Sequence, residues 1–361
     1  MGRFSSTSLM SFVPKTPLFL GKFRQQRGGF QSLALPHTYS PQNPPTDCPH
    51  AKQAEELVSQ LSPQEVEVAA KAFYEYLKQP NPEHTLFYAK QYARGFLKAF
   101  VDDTGAKRAD MNRALKRIKE TIQFRTEMDV DTLRTLFDPE QQQSRANSKI
   151  DDTNKQSRLE LLGRQSKASS SRALSKAAQR LAQEMKYRNV YVQGHDIQGR
   201  STYVFVPRNV RGHDQVWTMK QHVYTLERAV ASSRAPDKTV NAVVDFNGFS
   251  PAKNAPPTSL GRTFIQTFGN HYGSSIHNVF LVDAPASFLC FWAILKPLLG
   301  KKARRKIHFV KSSQSNELAK FYTPDQAASW MMQGGQKNRE LDVDEYLCQT
   351  PFYKSFDDSW N

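Results

Sequence analysis

Residues 276–310, IHNVFLVDAPASFLCFWAILKPLLGKKARRKIHFV, alternate between short apolar runs and polar punctuation. Residues 276–282 are apolar and β-branched, and they stop at Asp283-Ala284-Pro285, which predicts a buried strand ended by a turn. Ser287 is placed to cap a helix that opens with eight consecutive apolar residues, 288–295. On a helical wheel Phe288, Phe291, Trp292, Leu295 and Leu299 share one face, while Leu289, Cys290 and Ile294 fall elsewhere with no polar face to offset them. Burying each large side chain would contribute about 1.5–3 kcal/mol, so the run favours cover on several sides. It is too short to span a bilayer, which takes about 20 apolar residues. The pattern fits a central core helix or a lid over something apolar. Next come Lys301, Lys302, Arg304, Arg305 and Lys306, a basic loop, and then a strand, Ile307-His308-Phe309-Val310. The charges suit a solvated face or, beside an apolar helix, contact with anionic head groups at about 1 kcal/mol per basic residue.

The remaining pattern predicts helices first and an α/β unit later. Ser62-Pro63-Gln64-Glu65 is a capping box with proline at the first helical position. The helix behind it carries Val66, Ala69, Ala70, Phe73 and Leu77 on one side. A second helix runs through Phe87, Tyr88, Phe96, Leu97 and Phe100, and a third repeats Met111, Ala114, Leu115, Ile118 and Ile122, ending near Phe124-Arg125. Residues 138–187 are rich in Ser, Gln and Lys/Arg and read as a linker or insertion, with two short amphipathic helices around Leu161 and Leu181. Beyond them the elements alternate: strands at 190–192 and 202–206 joined by a turn, a helix over 217–233, a strand over 240–246, and a helix whose one side bears Leu260, Phe264, Ile265, Phe268 and Tyr272. Strands alternating with helices favour a largely parallel mixed sheet with helices packed on it.

Composition narrows the partners. The 361 residues carry a net charge of +16, which asks for a polyanion, either nucleic acid or an anionic membrane surface. The aromatic side chains lie in apolar helical faces rather than on a basic strand platform, which argues against base stacking. Cys48, Cys290 and Cys348 are odd in number and far apart, so they give no disulfide framework and no CxxC pair, as expected in a reducing compartment such as the cytoplasm. Residues 1–46 contain no Asp or Glu, and a Pro-rich stretch runs from Pro36 to Pro49. Met1-Gly2-Arg3-Phe4-Ser5-Ser6 fits an N-myristoylation pattern at Gly2, the acid-free composition fits an organelle transit peptide, and a plain disordered tail fits as well.

Candidate chemistry is thin. The histidines make no HExxH or other metal spacing, and there is no G-x-S-x-G elbow. Residues 194–201 approach a Walker A pattern, but Arg200 replaces the lysine and a strand follows instead of a helix. Asp245 and Asp283 end strands, where α/β enzymes carry acids, yet both occupy turn positions that favour Asp anyway. The expectation is a protein without enzymatic activity, cofactor or metal.

The ordered set Asp283-Ala284-Pro285, Leu295-Lys296-Pro297-Leu298-Leu299 and Lys306-Ile307-His308-Phe309 resembles the CRAL-TRIO lipid-binding domain of phosphatidylinositol/phosphatidylcholine transfer proteins. The resemblance extends to the D-x-x-G-R turn at 196–200, Asp245-Phe246-Asn247-Gly248, the closing Gly334-Gly335 and the helices of 63–137, about three fifths of the chain. It implies an α/β CRAL-TRIO fold with an N-terminal three-helix lobe, in which the apolar helix gates a lipid cavity floored by the strands. The boundaries that follow are a targeting or disordered region at 1–62, the lobe at 63–137, the linker at 138–187, the lipid-binding domain at 188–340 and a C-terminal tail at 341–361. The resemblance places Tyr203, Phe264, Phe268, Phe288, Phe291, Trp292, Ile294, Leu295 and Lys306 around the lipid, and Lys301, Lys302, Arg304 and Arg305 against the membrane. Lys306 matches the family's head-group lysine. The acidic partner falls at Ser274 and the Ser-x-Thr pair at Val240-Asn241-Ala242, so both are missing and the head group stays unnamed. The implied function is binding of one hydrophobic lipid and its transfer or presentation at anionic membranes by a monomeric, peripheral protein. A lipid-sensing adaptor that recruits a partner is the alternative.

Overall fold

The computed structural model describes residues 50–73, 75–76, 80–100, 110–138, 175–211, 214–254, 258–314, 317–338 and 340–348; at Ala99, Pro251, Ala252, Thr258, Phe291 and Leu298 it describes the backbone alone. The targeting patterns of residues 1–49, most of the Ser-rich insertion and the last thirteen positions lie outside the described residues.

Among the described residues up to 138 the chain forms α1 (Ala51–Val58), α2 (Pro63–Lys71), α3 (Thr85–Ala99), α4 (Met111–Glu127) and α5 (Val130–Arg134). The capping box at α2 forms as the sequence predicts, with Glu65 N donating to Ser62 Oγ and Ser62 N donating to the Glu65 carboxylate. The lobe core is built on small residues, Ala54, Ala69, Ala89, Ala93 and Ala114, with Leu57, Leu97 and Ile118 filling between closely approaching helices. One boundary needs correction. Residues 51–58 were expected in a coreless tail, but α1 buries Ala54, Leu57 and Val58. Their i, i+3, i+4 spacing, continued by Leu61, is a helical stripe that the neighbouring prolines mask.

After α6 (Lys176–Met185) the chain builds a five-stranded sheet: β1 (Val190–His195), β2 (Ser201–Phe205), β3 (Val240–Asp245), β4 (Ile276–Val282) and β5 (Ile307–Val310). The strands lie in chain order, β1 antiparallel to β2 and the others parallel. The expected hairpin closes at Asp196, whose carboxylate accepts from Gln198 N and Arg200 N. Gly199 sits there at φ +78°, with Arg234 Cβ where its own Cβ would crowd. The crossovers carry α7 (Gln215–Ser232), α8 (Thr258–His271), α9 (Ala286–Leu295) and α10 (Lys301–Arg305). Gly335 is held against Ala328, whose carbonyl oxygen would lie 2.3 Å from an added Cβ.

Three local readings change. Helix α9 starts at Ala286 with Pro285 as its cap, so Ser287 is already helical. The basic loop is a one-turn helix, α10. The C-terminal tail contains α11 (Val343–Cys348), which belongs to the domain core: Tyr346 OH accepts from Val192 N at 3.0 Å, and the Arg228 guanidinium stacks 3.5 Å over the Tyr346 ring. Val343, Tyr346 and Leu347 show the helical spacing, in a segment too short to announce itself.

Candidate functional site

The strand registers put Tyr203, Ala242, Val279 and Ile307 in one row across the sheet, and Phe205, Val244, Leu281 and Phe309 in the next row on the same face. The opposite face bears Val204, Val243, Phe280, Val282 and Val310, all buried, and is filled by Leu318, Tyr322, Met331 and Met332. The first face is packed differently. Over β1 and β2 it is covered by α6, α7 and α11. Towards β3, β4 and β5, Val244, Val279 and Ile307 stay partly exposed, and Phe309 is 44% exposed. Central parallel strands are normally buried on both faces. Ala242 and Leu281 on this face are buried, so the apolar floor is open only in part, at Val244, Val279, Ile307 and Phe309.

Two helices border that floor. From α8, Phe264 and Phe268 pack against the core beside it and are themselves partly exposed, with Phe264 stacked on Phe268 at 5.6 Å. Helix α9 lies over the carboxyl ends of the strands. Phe288 packs on Phe246 at 4.4 Å, Trp292 meets Phe309 edge-on at 5.8 Å, and Leu295 is buried. Its other side is bare: Leu289 is 49% and Ile294 59% exposed, with Cys290 exposed between them. The central-core reading of this helix is therefore wrong, since an all-round apolar helix lies at the surface. Ile294 is exposed, and the Phe291 side chain lies outside the described residues. The turn that launches α9 is fixed by Asp283, at φ +53°, whose carboxylate accepts from Ser312 N and Oγ. Directly after α9, α10 presents Lys301, Arg304 and Arg305 on the surface, with Lys302 partly covered.

The polar candidates are engaged with protein. Lys306 Nζ donates to the backbone carbonyls of Gly273 (3.0 Å) and Ile276 (2.6 Å), and burial pulls its pKa below the ordinary lysine value. Asp245 accepts from Arg208 at 2.6 Å, His195 Nε2 meets the Ser232 carbonyl at 2.9 Å, and His308 Nε2 meets Asn278 at 3.2 Å. Ser274 lines a cavity of about 120 Å³ between the helical lobe and the domain, together with Tyr92, Arg125, Glu227, Lys238 and Tyr272. Lipid-sized ligands need about 300 Å³ or more, so this cavity is too small to hold one.

Tyr203, expected around the lipid, has a buried polar partner that was not singled out from the sequence, His222. Tyr203 OH and His222 Nδ1 lie 2.5 Å apart, and the His222 ring is enclosed by Phe205, Phe264 and Phe268. Burial lowers the His222 pKa to about 3, so the ring is neutral. The available signal was its place on α7 one position before Val223 and four before Leu226, both buried.

A mixed sheet filled on one face and apolar but partly open on the other, bordered by a greasy surface helix and a cationic turn, defines a class of α/β proteins suited to a lipophilic ligand. Residues 185–330 match the CRAL/TRIO domain, and the chain carries that domain. It is similar in fold to the crystal structure of Sfh5, with a TM-score of 0.50 and 11% identity over 84% of this chain and 92% of that chain. No curated protein matches the sequence. Among the described residues no helix is long and apolar enough to cross a membrane.

Proposed function

We propose that the protein binds one lipid between the partly open face of the sheet and helices α8 and α9, and transfers or presents it at anionic membranes without acting on it chemically. The observation that carries this reading is the contrast between the two faces of β3 and β4: Val243 and Phe280 are buried, whereas Val244 and Val279, one residue along each strand, keep apolar surface open. Close packing is the rule in interiors, and an uncovered apolar floor within a sheet is stable only when something apolar covers it. Tyr203, Phe264, Phe268, Phe288, Trp292 and Leu295 border this floor and are the proposed contacts. Phe291 joins them on its helical position.

The membrane side of the proposal rests on α9 and α10. Leu289 and Ile294 offer apolar side chains for the acyl region, while Lys301, Lys302, Arg304 and Arg305 stand within a few residues for anionic head groups. Lys306, hydrogen-bonded to backbone carbonyls, holds the α8–β4 turn to β5. Transfer of labelled phospholipid from donor to acceptor vesicles tests the function. The expected result is protein-dependent transfer that is faster with anionic acceptors. Lipid binding without any transfer would assign the protein to sensing instead, and neither binding nor transfer would end the reading.

A further inference from the structure

The Tyr203–His222 pair has a consequence for which lipid is taken, and the inference rests on the lipid-binding reading. Their hydrogen bond can run in two directions. If His222 Nδ1–H donates to the phenol oxygen, the phenol hydrogen loses its acceptor and Nε2 keeps a bare lone pair. If the phenol donates to Nδ1, only Nε2–H is left over. The second arrangement strands fewer groups and fixes the neutral Nε2–H tautomer. Nε2 is buried and has no hydrogen-bond partner among the described residues. Buried polar groups in folded proteins almost always find one. The ring contacts around it do not substitute: Phe264 at 4.4 Å and Phe205 at 5.1 Å, with ring planes inclined by 67° and 77°, offer at most a weak N–H···π contact. Both phenylalanines are partly exposed on the open floor, so they form the wall between Nε2 and that space.

We infer that Tyr203 and His222 form a polar anchor whose single N–H donor reaches an oxygen in the body of the bound lipid once Phe264 turns aside, so that the protein takes lipids bearing an ester carbonyl, carboxyl or hydroxyl group and discriminates against pure hydrocarbons. The donor is uncharged, so it reads the presence of an acceptor rather than the charge of a head group. A hydrocarbon occupant leaves the N–H stranded, whereas an oxygenated one satisfies it.

The test uses the full chain, incubated with vesicles containing equimolar squalene, oleic acid and dioleoylphosphatidylcholine, then re-isolated and extracted for mass spectrometry. Wild-type protein is expected to hold the oxygen-bearing lipids over squalene by about tenfold or more. Tyr203→Phe/His222→Phe, which removes both polar groups together and so strands neither, is expected to lower that ratio by about tenfold. His222→Gln keeps an acceptor for Tyr203 and an N–H donor, and is expected to preserve the ratio. Circular dichroism establishes that each variant is folded. Equal uptake of squalene by the wild type, or an unchanged ratio in the double variant, overturns the inference while leaving lipid binding intact. Uptake of none of the three lipids would instead sink the lipid-binding reading, and the anchor with it.

Discussion

Glu227 accepts from Arg125 at 2.6 Å and from Tyr272 OH at 2.8 Å, and lies 3.4 Å from Arg134 Nε, all buried where the helical lobe meets the domain. Burial alone would push this carboxyl up, but the two guanidiniums hold it below the usual range. Removing the charge with Glu227→Gln leaves two buried cations short of an anion, and about 3–5 kcal/mol of stability should be lost, read as a lower urea midpoint. Tyr272→Phe removes one hydrogen bond to the same carboxylate and should cost about 1–2 kcal/mol in the same measurement. The neutral histidines set a pH dependence. His222 titrates near 6.5 in the unfolded chain and at about 3 when folded. Below pH 6.5 the unfolded state therefore binds a proton that the folded state refuses. Stability is fully present above that pH and falls by about 1.4 kcal/mol per unit as the pH drops towards 3. His271, half-buried against Phe124 and lowered to about 4, acts in the same direction over a narrower window. Urea midpoints should be flat from pH 8 to 7 and decline from 6.5 to 4.5, and Tyr203→Phe/His222→Phe should lose one proton's share of that slope. An unchanged slope in the variant would mean that His222 is already charged in the fold.

Helix α9 is the element on which membrane contact depends. Its burial pattern separates two sets of positions that the sequence makes equally greasy. Leu289 and Ile294 touch little protein, so Leu289→Glu/Ile294→Glu should leave the urea midpoint within about 0.5 kcal/mol of wild type. The same variant should lose co-sedimentation with vesicles. Leu295→Glu is buried and should unfold the domain or empty it. Replacing Lys301, Lys302, Arg304 and Arg305 with Ala should weaken binding to anionic vesicles by up to about a thousandfold, at about 1 kcal/mol per charge, with little effect on neutral ones. High salt should reproduce that loss in the wild type. Binding to anionic and neutral vesicles alike, before and after the substitution, would remove α10 from the membrane contact.

Across the whole molecule, the α/β order and the strand-turn-helix of 276–310 were legible because hydrophobic period and turn residues act locally. The wheel reading also separated Phe288, Trp292 and Leu295, which face protein, from Leu289 and Ile294, which face out. Other features depend on contacts far apart in the chain. Nothing near Lys306 shows that its ammonium bonds the carbonyls of Gly273 and Ile276, some 30 residues earlier. His222 becomes notable only when β2 brings Tyr203 beside it, and α11 only when Arg228 folds over Tyr346. The open floor is a property of sheet register and helix placement, which no single stretch encodes. Native mass spectrometry of the gently purified full chain tests that floor most directly. One lipid mass per protein, removed by organic extraction and regained from vesicles, is the predicted result. The bare protein mass before and after incubation with lipid would contradict it.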